Sequence, residues 1–514
     1  MSASAFVATK STDPVDVCLI VEGCYPYVPG GVSSWIDWLM RSQPATRFSI
    51  VSLWPRPMGL NSRYPAPPNL LSFEHLYLQQ FGAKPKSRGR VPPNIDRLGD
   101  SLTRLTTEGG AAALANLIDE LRRTRVHLSL EELFNSPGAW QLVQDMYRRE
   151  MPNGSFLHYF WAWRALLSGL FAVLEHPLPK AHLYHTISTG YAGLLAARAR
   201  LETGRPSVLT EHGIYTNERR IELLMADWVA DTVNKGHSLD DPRFDLRDMW
   251  VRAFEAYART CYDAATDVIT LYGDNQGPQR NLGASNDKFA IVANGIDVKK
   301  YAHIEPASDA SRPTMALIGR VVPIKDVKTY IEAARILAER VPDLRAWVIG
   351  PTEEDPEYYG ECRRLVAEHG LEKIVEFTGA VNILDFLGQI HVMVLTSMSE
   401  SQPLVILEAG AAGIPFIATD VGSCREIIEG RADEAPHFGP GGEITHLAAS
   451  DEIAAAAGRL LTDHVWRRSA GAALKARVAA HYTSEQAAGA YAGLYARLKD
   501  APGFHVPVTP QGAA

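Results

Sequence analysis

A chain of 514 residues exceeds the roughly 250–300 residues at which a single core stops growing, so two large domains are expected. Hydrophobic residues at 46% and charged residues at 21% suit a packed globular protein and exclude a disordered one. A formal net charge of −8 without a long Lys/Arg run argues against nucleic acid as a partner.

The five cysteines (Cys18, Cys24, Cys261, Cys362, Cys424) are scattered and form no CxxC pair. That is the usage of a reduced, cytosolic enzyme rather than a disulfide scaffold or zinc site. The opening MSASAFVATKSTDPVD has no apolar h-region, so no signal peptide is expected.

VDVCLIVEG (15–23) reads as the first strand. It runs into Pro29-Gly30-Gly31, and a helical pattern follows. Adjacent glycines let the backbone approach a phosphate or sugar closely. The spacing is neither GxGxxG nor GxxxxGK[ST], and a plain strand-to-helix turn looks the same. RFSIVSLW (47–54) is the next strand. Residues 55–100 are rich in Pro, Arg and Gly and look loop-like; 101–175 carry helical periodicity without a strand. The stretch of about 55–175 thus reads as an insertion with several helices. Within it, Phe156–Leu174 approaches the length of a membrane span. His158 and Arg164 interrupt it, and a central Arg is costly in lipid, so a buried core helix is expected.

HLYHTIS (182–188), PSVLTEHG (206–213), DVITLY (267–272) and KFAIVANG (288–295) continue the strand series, with a second helical stretch at about 216–264. Residues 297–313, polar and holding Pro306 and Pro313, read as a linker. A new series follows: TMALIGR (314–320), LRAWVIG (344–350), VEFTG (375–379), VMVLTS (392–397) and PFIATD (415–420). Strand–helix alternation of this kind predicts an α/β protein with two doubly wound parallel sheets. Ligands bind such sheets beyond the C-terminal strand ends.

Two motifs carry chemistry. In SMSESQPLVILEAGAAGIPFIATDVGS (397–423), Glu400 lies in a loop and Glu408 on the following helix, spaced Glu-x7-Glu. Pro403 suits the first helical turn. The backbone N–H groups of Ser401, Gln402 and Leu404 would crown a helix N-terminus, which favours a diphosphate or a polar sugar edge. Carboxylates accept hydrogen bonds from paired hydroxyls, so both glutamates suit sugar or ribose recognition, although an acidic loop and a solvent-facing helix glutamate share this spacing. In LIGRVVPIKDVKTYIEA (317–333), Arg320 and Lys325 lie between a strand and a helix. Two cations there can neutralise a leaving diphosphate without a metal, although a solvated helix start looks similar.

The GGV-type first loop, the GR-x4-K loop and the Glu-x7-Glu segment with ILEAGAAGIP occur here in the order that marks the retaining GT4 glycosyltransferases of GT-B fold, and the chain resembles that family. VCLIVEGCYPYVPGGVSSWIDWLM, YHTISTGYAGLLA and LTEHGIYTNERR further resemble the cytosolic glycosyltransferases of bacterial Pel exopolysaccharide synthesis.

The resemblance implies two Rossmann-like domains facing a central cleft: 1–305 on the acceptor side, with the helical insertion, and 312–482 for the nucleotide-sugar. A C-terminal helix over 483–503 would pack back on the first domain. Arg320 and Lys325 would hold the donor diphosphate, and Glu408 the ribose hydroxyls. Glu400 and the backbone from Ser401 through Gln402 and Pro403 to Leu404 would face the transferred hexose. Gly30 and Gly31 would approach from the first domain. His212 would line the sugar pocket, with His185 a lesser candidate, and Glu211, Tyr215, Asn217, Glu218 and Arg219 would shape the acceptor side.

The resemblance also implies a UDP-sugar donor, a polysaccharide acceptor and transfer with retention. It places the protein in the cytoplasm, held peripherally at the inner membrane by synthase subunits, with the insertion as docking surface. No cofactor or metal is expected: Asp240-Asp241 sits in a polar loop far from either sheet's ligand end. An epimerase on the same fold, or a non-catalytic nucleotide-sugar-binding subunit, remains open.

Overall fold

The computed structural model describes residues 14–28, 30–57, 59, 61–79, 95–124, 137–225 and 245–500. Asp240 and Asp241 lie outside the described residues. The chain divides into two compact units, with boundaries at Thr270/Leu271, Asp274/Asn275, Ile291/Val292 and Ala490/Tyr491.

The first unit is built on a seven-stranded sheet of β1 (Val15–Glu22), β2 (Phe48–Trp54), β3 (Leu70–Tyr77), β4 (Ala181–Thr186), β5 (Ser207–Glu211), β6 (Asp267–Thr270) and β7 (Phe289–Ile291). The order is β3-β2-β1-β4-β5-β6-β7, and every pairing is parallel. β1 and β2 are buried almost throughout, as expected of strands covered on both faces.

The insertion supplies helices Ile95–Thr107, Ala111–Thr124, Pro137–Glu150 and Phe156–Glu175. By length and composition the last could cross a membrane. Its Tyr159, Trp163, Leu166 and Leu170 pack into the core of the unit, with helices Tyr191–Thr203 and Leu246–Ala264. Part of the insertion is a strand: β3 falls within the 55–100 stretch expected to be a loop. It is an edge strand, and polar Ser72, Glu74 and His75 break its apolar run.

The second unit is built on β8 (Thr314–Ile318), β9 (Arg345–Ile349), β10 (Val375–Gly379), β11 (Val392–Leu395), β12 (Phe416–Thr419) and β13 (Gly442–Thr445). The order is β10-β9-β8-β11-β12-β13, again all parallel. The expected linker at 297–313 belongs to this unit. It folds into a 3₁₀ turn at Val298–Tyr301 whose tyrosine is buried. The helix Ser484–Lys499 is divided between the units at Ala490/Tyr491.

One buried ion pair anchors the second unit's C-terminal helices. Arg477, on helix His464–His481, is fully buried and bonds Glu434 through Nε at 2.6 Å and Nη2 at 2.9 Å. It also donates to the carbonyls of Ile428 and Gly439, at 3.0 and 2.7 Å. Removing one partner of such a pair strands a buried charge, at about 3–5 kcal/mol. Arg477→Ala should therefore lower the denaturant midpoint sharply. The double variant Arg477→Leu/Glu434→Leu should recover part of the loss, as read by chemical unfolding.

Candidate active site

Each sheet reverses its strand order once, between β1 and β4 in the first unit and between β8 and β11 in the second. In doubly wound folds the crevice beyond the strand ends at such a point takes the ligand.

In the second unit that point brings together the two motif loops. After β8 the chain forms the 3₁₀ turn Pro323–Lys325, and Asp326 then caps helix Val327–Ala338 by accepting from Thr329 N. Lys325 is thereby turned away from the helix start and pairs with Glu400, with only 19% and 14% of the two side chains exposed. Ser397 Oγ donates to the same carboxylate oxygen at 2.6 Å. Thr396 Oγ1 donates to Lys325 O at 2.8 Å, and Met398 N to Ile324 O at 2.9 Å. The loops after β8 and β11 are thus joined by both side chain and backbone. Arg320 instead pairs with Glu354 at the surface, each side chain about half exposed.

Glu408 lies on helix Leu404–Ala412, whose N-cap is Pro403, extended at φ −71° and ψ 114°, rather than a first-turn residue. Burial pushes the Glu408 carboxyl above its ordinary range, against a hydrogen bond from Tyr301. Gln402 is buried, and its Oε1 accepts from Asn294 N at 2.6 Å. Leu404 is exposed at the helix start. Ser401 O accepts from Ser423 N at 2.8 Å. Neither Tyr301 nor Asn294 carries a signal in the sequence: Tyr301 falls in the polar stretch 297–313, and Asn294 near the end of the run KFAIVANG.

In the first unit, Gly30 and Gly31 open helix Gly31–Ser42, and a Cβ on either would meet nothing within 4 Å. The fold itself therefore does not demand glycine at these positions. His212 follows β5 and packs edge-on against Trp35, ring centroids 4.6 Å apart; burial lowers its pKa to about 4. It is neutral at physiological pH.

Glu211 is fully buried, accepting from Tyr262 Oη at 2.6 Å and Gln279 Nε2 at 2.7 Å, and burial raises its pKa. Tyr215 donates to Glu22 at 3.0 Å, and Arg219 stacks over the Tyr215 ring at 5.0 Å. Glu22 ends β1 beside the reversal and was missed because one carboxylate after an apolar run carries no signal. Asn217 and Glu218 are exposed on helix Tyr215–Met225.

His185 also packs edge-on against Trp35, ring centroids 6.0 Å apart, but both of its ring nitrogens are engaged. It is fully buried, with Nδ1 2.7 Å from Tyr495 Oη and Nε2 2.9 Å from Thr210 Oγ1. Both ring nitrogens are spent on packing, and burial lowers its pKa to about 3.

Residues 15–287, more than half of the chain, match the family model described as a domain of unknown function (DUF3492), and residues 312–463 match glycosyl transferases group 1. The chain belongs to the DUF3492 family. Its second unit carries a group 1 glycosyltransferase domain, which holds Arg320, Lys325, Glu400 and Glu408.

The alpha-maltose-1-phosphate synthase of Mycolicibacterium smegmatis is 28% identical over 272 residues, 49% of this chain and 63% of that protein. The D-inositol 3-phosphate glycosyltransferase of Kribbella flavida is 27% identical over 283 residues, 49% and 64%. The matches thus span less than two thirds of either relative.

The sucrose-phosphate synthase structure of Thermosynechococcus elongatus superposes with a TM-score of 0.55 at 17% identity, covering 94% of this chain and 98% of that one. Anabaena HepE in complex with UDP and glucose gives 0.54 at 15% identity, covering 94% and 99%. The fold is GT-B, with two Rossmann-like units.

Gly422 sits at φ +56°, and a Cβ there would meet Ser401 O at 2.3 Å and Glu400 O at 2.4 Å. Gly422→Ala should displace the Glu400 loop and weaken ligand binding to the isolated site at least tenfold, a change calorimetry would register.

His185 titrates near 6.5 when unfolded and near 3 when folded. Between those values the unfolded chain binds more protons, so this histidine's contribution is full above pH 6.5 and falls as the solution is acidified. It amounts to about 2 kcal/mol of lost stability at pH 5. The drop in Tm from pH 7 to pH 5 should therefore be smaller in His185→Gln than in the unmodified protein.

Proposed function

We propose that the protein is a retaining, metal-independent glycosyltransferase that moves a hexose or N-acetylhexosamine from a UDP-sugar to a growing exopolysaccharide, as a PelF-like enzyme. The observation that carries this is the joining of the two motif loops by Lys325 and Glu400 at the β8/β11 reversal. A donor laid across this point has its diphosphate beside Arg320 and Lys325, its ribose beside Glu408 and its sugar beside Glu400 and the backbone of Ser401 to Leu404. Association of HepE with UDP and glucose on the same fold supports a uridine donor.

The reaction is a same-face substitution. The bond from the anomeric carbon to the diphosphate breaks, the acceptor oxygen bonds to the same face, and the departing phosphate takes the acceptor proton. Arg320 and Lys325 stabilise the charge that develops on the leaving group. Glu400 orients the sugar hydroxyls; it is already engaged by Lys325 and Ser397, an environment unlike that of a free nucleophile. On the first unit, a neutral His212 beside Trp35 and the open Gly30 and Gly31 are the candidate substrate contacts. Docking on inner-membrane synthase subunits, through the 55–175 insertion, completes the proposal.

The test is calorimetric titration with EDTA present against UDP, GDP and ADP. Selective UDP binding, lost in Arg320→Ala, is expected. Lys325→Ala should lower kcat by about a hundredfold or more. Near-normal turnover in both variants, or UDP binding that needs a divalent metal, would overturn the assignment.

A further inference from the structure

We infer that the second unit carries a separate binding site for a small phosphate monoester with an apolar body, at the opposite end of its sheet from Lys325 and Glu400. A cavity of about 420 Å³ opens there, within the range of about 300–1,000 Å³ typical of small-molecule sites. Its wall includes Ile390 and His391, just before β11, and Ile414 and Pro415, just before β12. These mark the N-terminal strand ends, whereas the motif loops follow the C-terminal ends, roughly 13–17 Å away at about 3.3 Å per residue.

Charge and apolarity are both arranged for such a ligand. Arg467, Arg468 and Lys475 line the cavity together with a single carboxylate, Asp309. Both arginines pair with Asp309. Lys475 pairs with no carboxylate among the described residues. The surplus of two positive charges matches a phosphate monoester dianion.

Arg467 is held in place: its side chain is 6% exposed, and Nη1 donates to the carbonyls of Leu460 and Leu461, each at 3.3 Å. Its guanidinium is therefore pre-positioned, Arg468 shares the Asp309 carboxylate with it, and the exposed Lys475 is left to close on the ligand. Lys475 also lies beside Gly413, the C-cap of helix Leu404–Ala412, where a cation favours the helix dipole. That accounts for one cation of the three and not for a surplus gathered around a concavity. Pro306, Ile390, Ile414 and Pro415 supply an apolar wall that a bare inorganic ion would leave uncovered.

The probe is phenyl phosphate, titrated calorimetrically into the full-length protein, with inorganic phosphate and phenol as controls. One saturable site per chain is expected, at least tenfold weaker in Arg468→Ala/Lys475→Ala and in Arg468→Glu. Both substituted side chains are solvent-exposed, so these variants should fold. Binding should persist in Lys325→Ala, which separates this site from the proposed donor site.

Absence of saturable binding, equal affinity in the double variant, or loss in Lys325→Ala would overturn the inference. Inorganic phosphate binding as tightly as phenyl phosphate would reduce it to an adventitious ion only. Phenol binding equally well would remove the role of the charges.

Discussion

A strand can join a parallel sheet only after the chain has crossed over one face of it, and such crossovers are right-handed. Each unit obeys this constraint and then reverses its direction of growth once, at β1/β4 and at β8/β11. Reversal sends successive crossovers to opposite faces, so the loops on its two sides diverge and leave a crevice. Glu22 and Thr186 end the strands at the first reversal, and Ile318 and Leu395 at the second. The strand interiors are mostly apolar, with small polar exceptions such as Ser49, Ser52 and Thr210, whereas Glu22 and Glu211 stand at strand ends.

Polarity at these ends is tolerated because it is matched. Glu211 would be costly in a buried position without Tyr262 and Gln279 as donors. The same pairing fixes the strand end that presents His212. Glycine serves the same purpose in the second unit. At Gly422 the backbone packs so closely under Glu400 and Ser401 that a side chain has no room, and this contact holds the loop that carries the Lys325 partner.

Much of this was legible in the sequence. Among the described residues, ten of thirteen strands lie within the runs picked out by apolar, β-branched character and β4 starts one residue ahead of its run, because buried parallel strands read as continuous hydrophobic stretches. The two that were missed, β3 and β13, are edge strands. β3 mixes Ser72, Glu74 and His75 into its run, and β13 is only Gly-Glu-Ile-Thr. The linker was misplaced because prolines at 306 and 313 resemble interdomain composition, whereas Tyr301, buried against Glu408, ties that segment to the second unit. His185 lies next to the end of β4 and His212 directly after β5, so the two look alike in sequence. Only three-dimensional packing separates them, by placing Tyr495 and Thr210 around His185. The loop motifs were legible because their residues are close in sequence; Glu22 with Tyr215 was not, since 193 positions separate them.

The two motif cations are not equivalent. Both are neutralised by carboxylates of their own unit, so an anionic ligand meets little net charge until one pair opens. The Arg320–Glu354 pair is about half exposed, and surface pairs of that kind are worth only about 0–1 kcal/mol. Lys325–Glu400 is mostly shielded from water and shares its carboxylate with Ser397, so separating it costs more. For a diphosphate, Arg320 is therefore the cation released at small cost, with a fork that can grip two oxygens. Lys325 is better suited to remain with Glu400, contributing its field from a fixed position while it and Ser397 hold the carboxylate in place. In the order Gly-Arg-x4-Lys the exposed, surface-paired cation thus comes first and the shielded one follows, where the 3₁₀ turn Pro323–Lys325 meets the neighbouring loop.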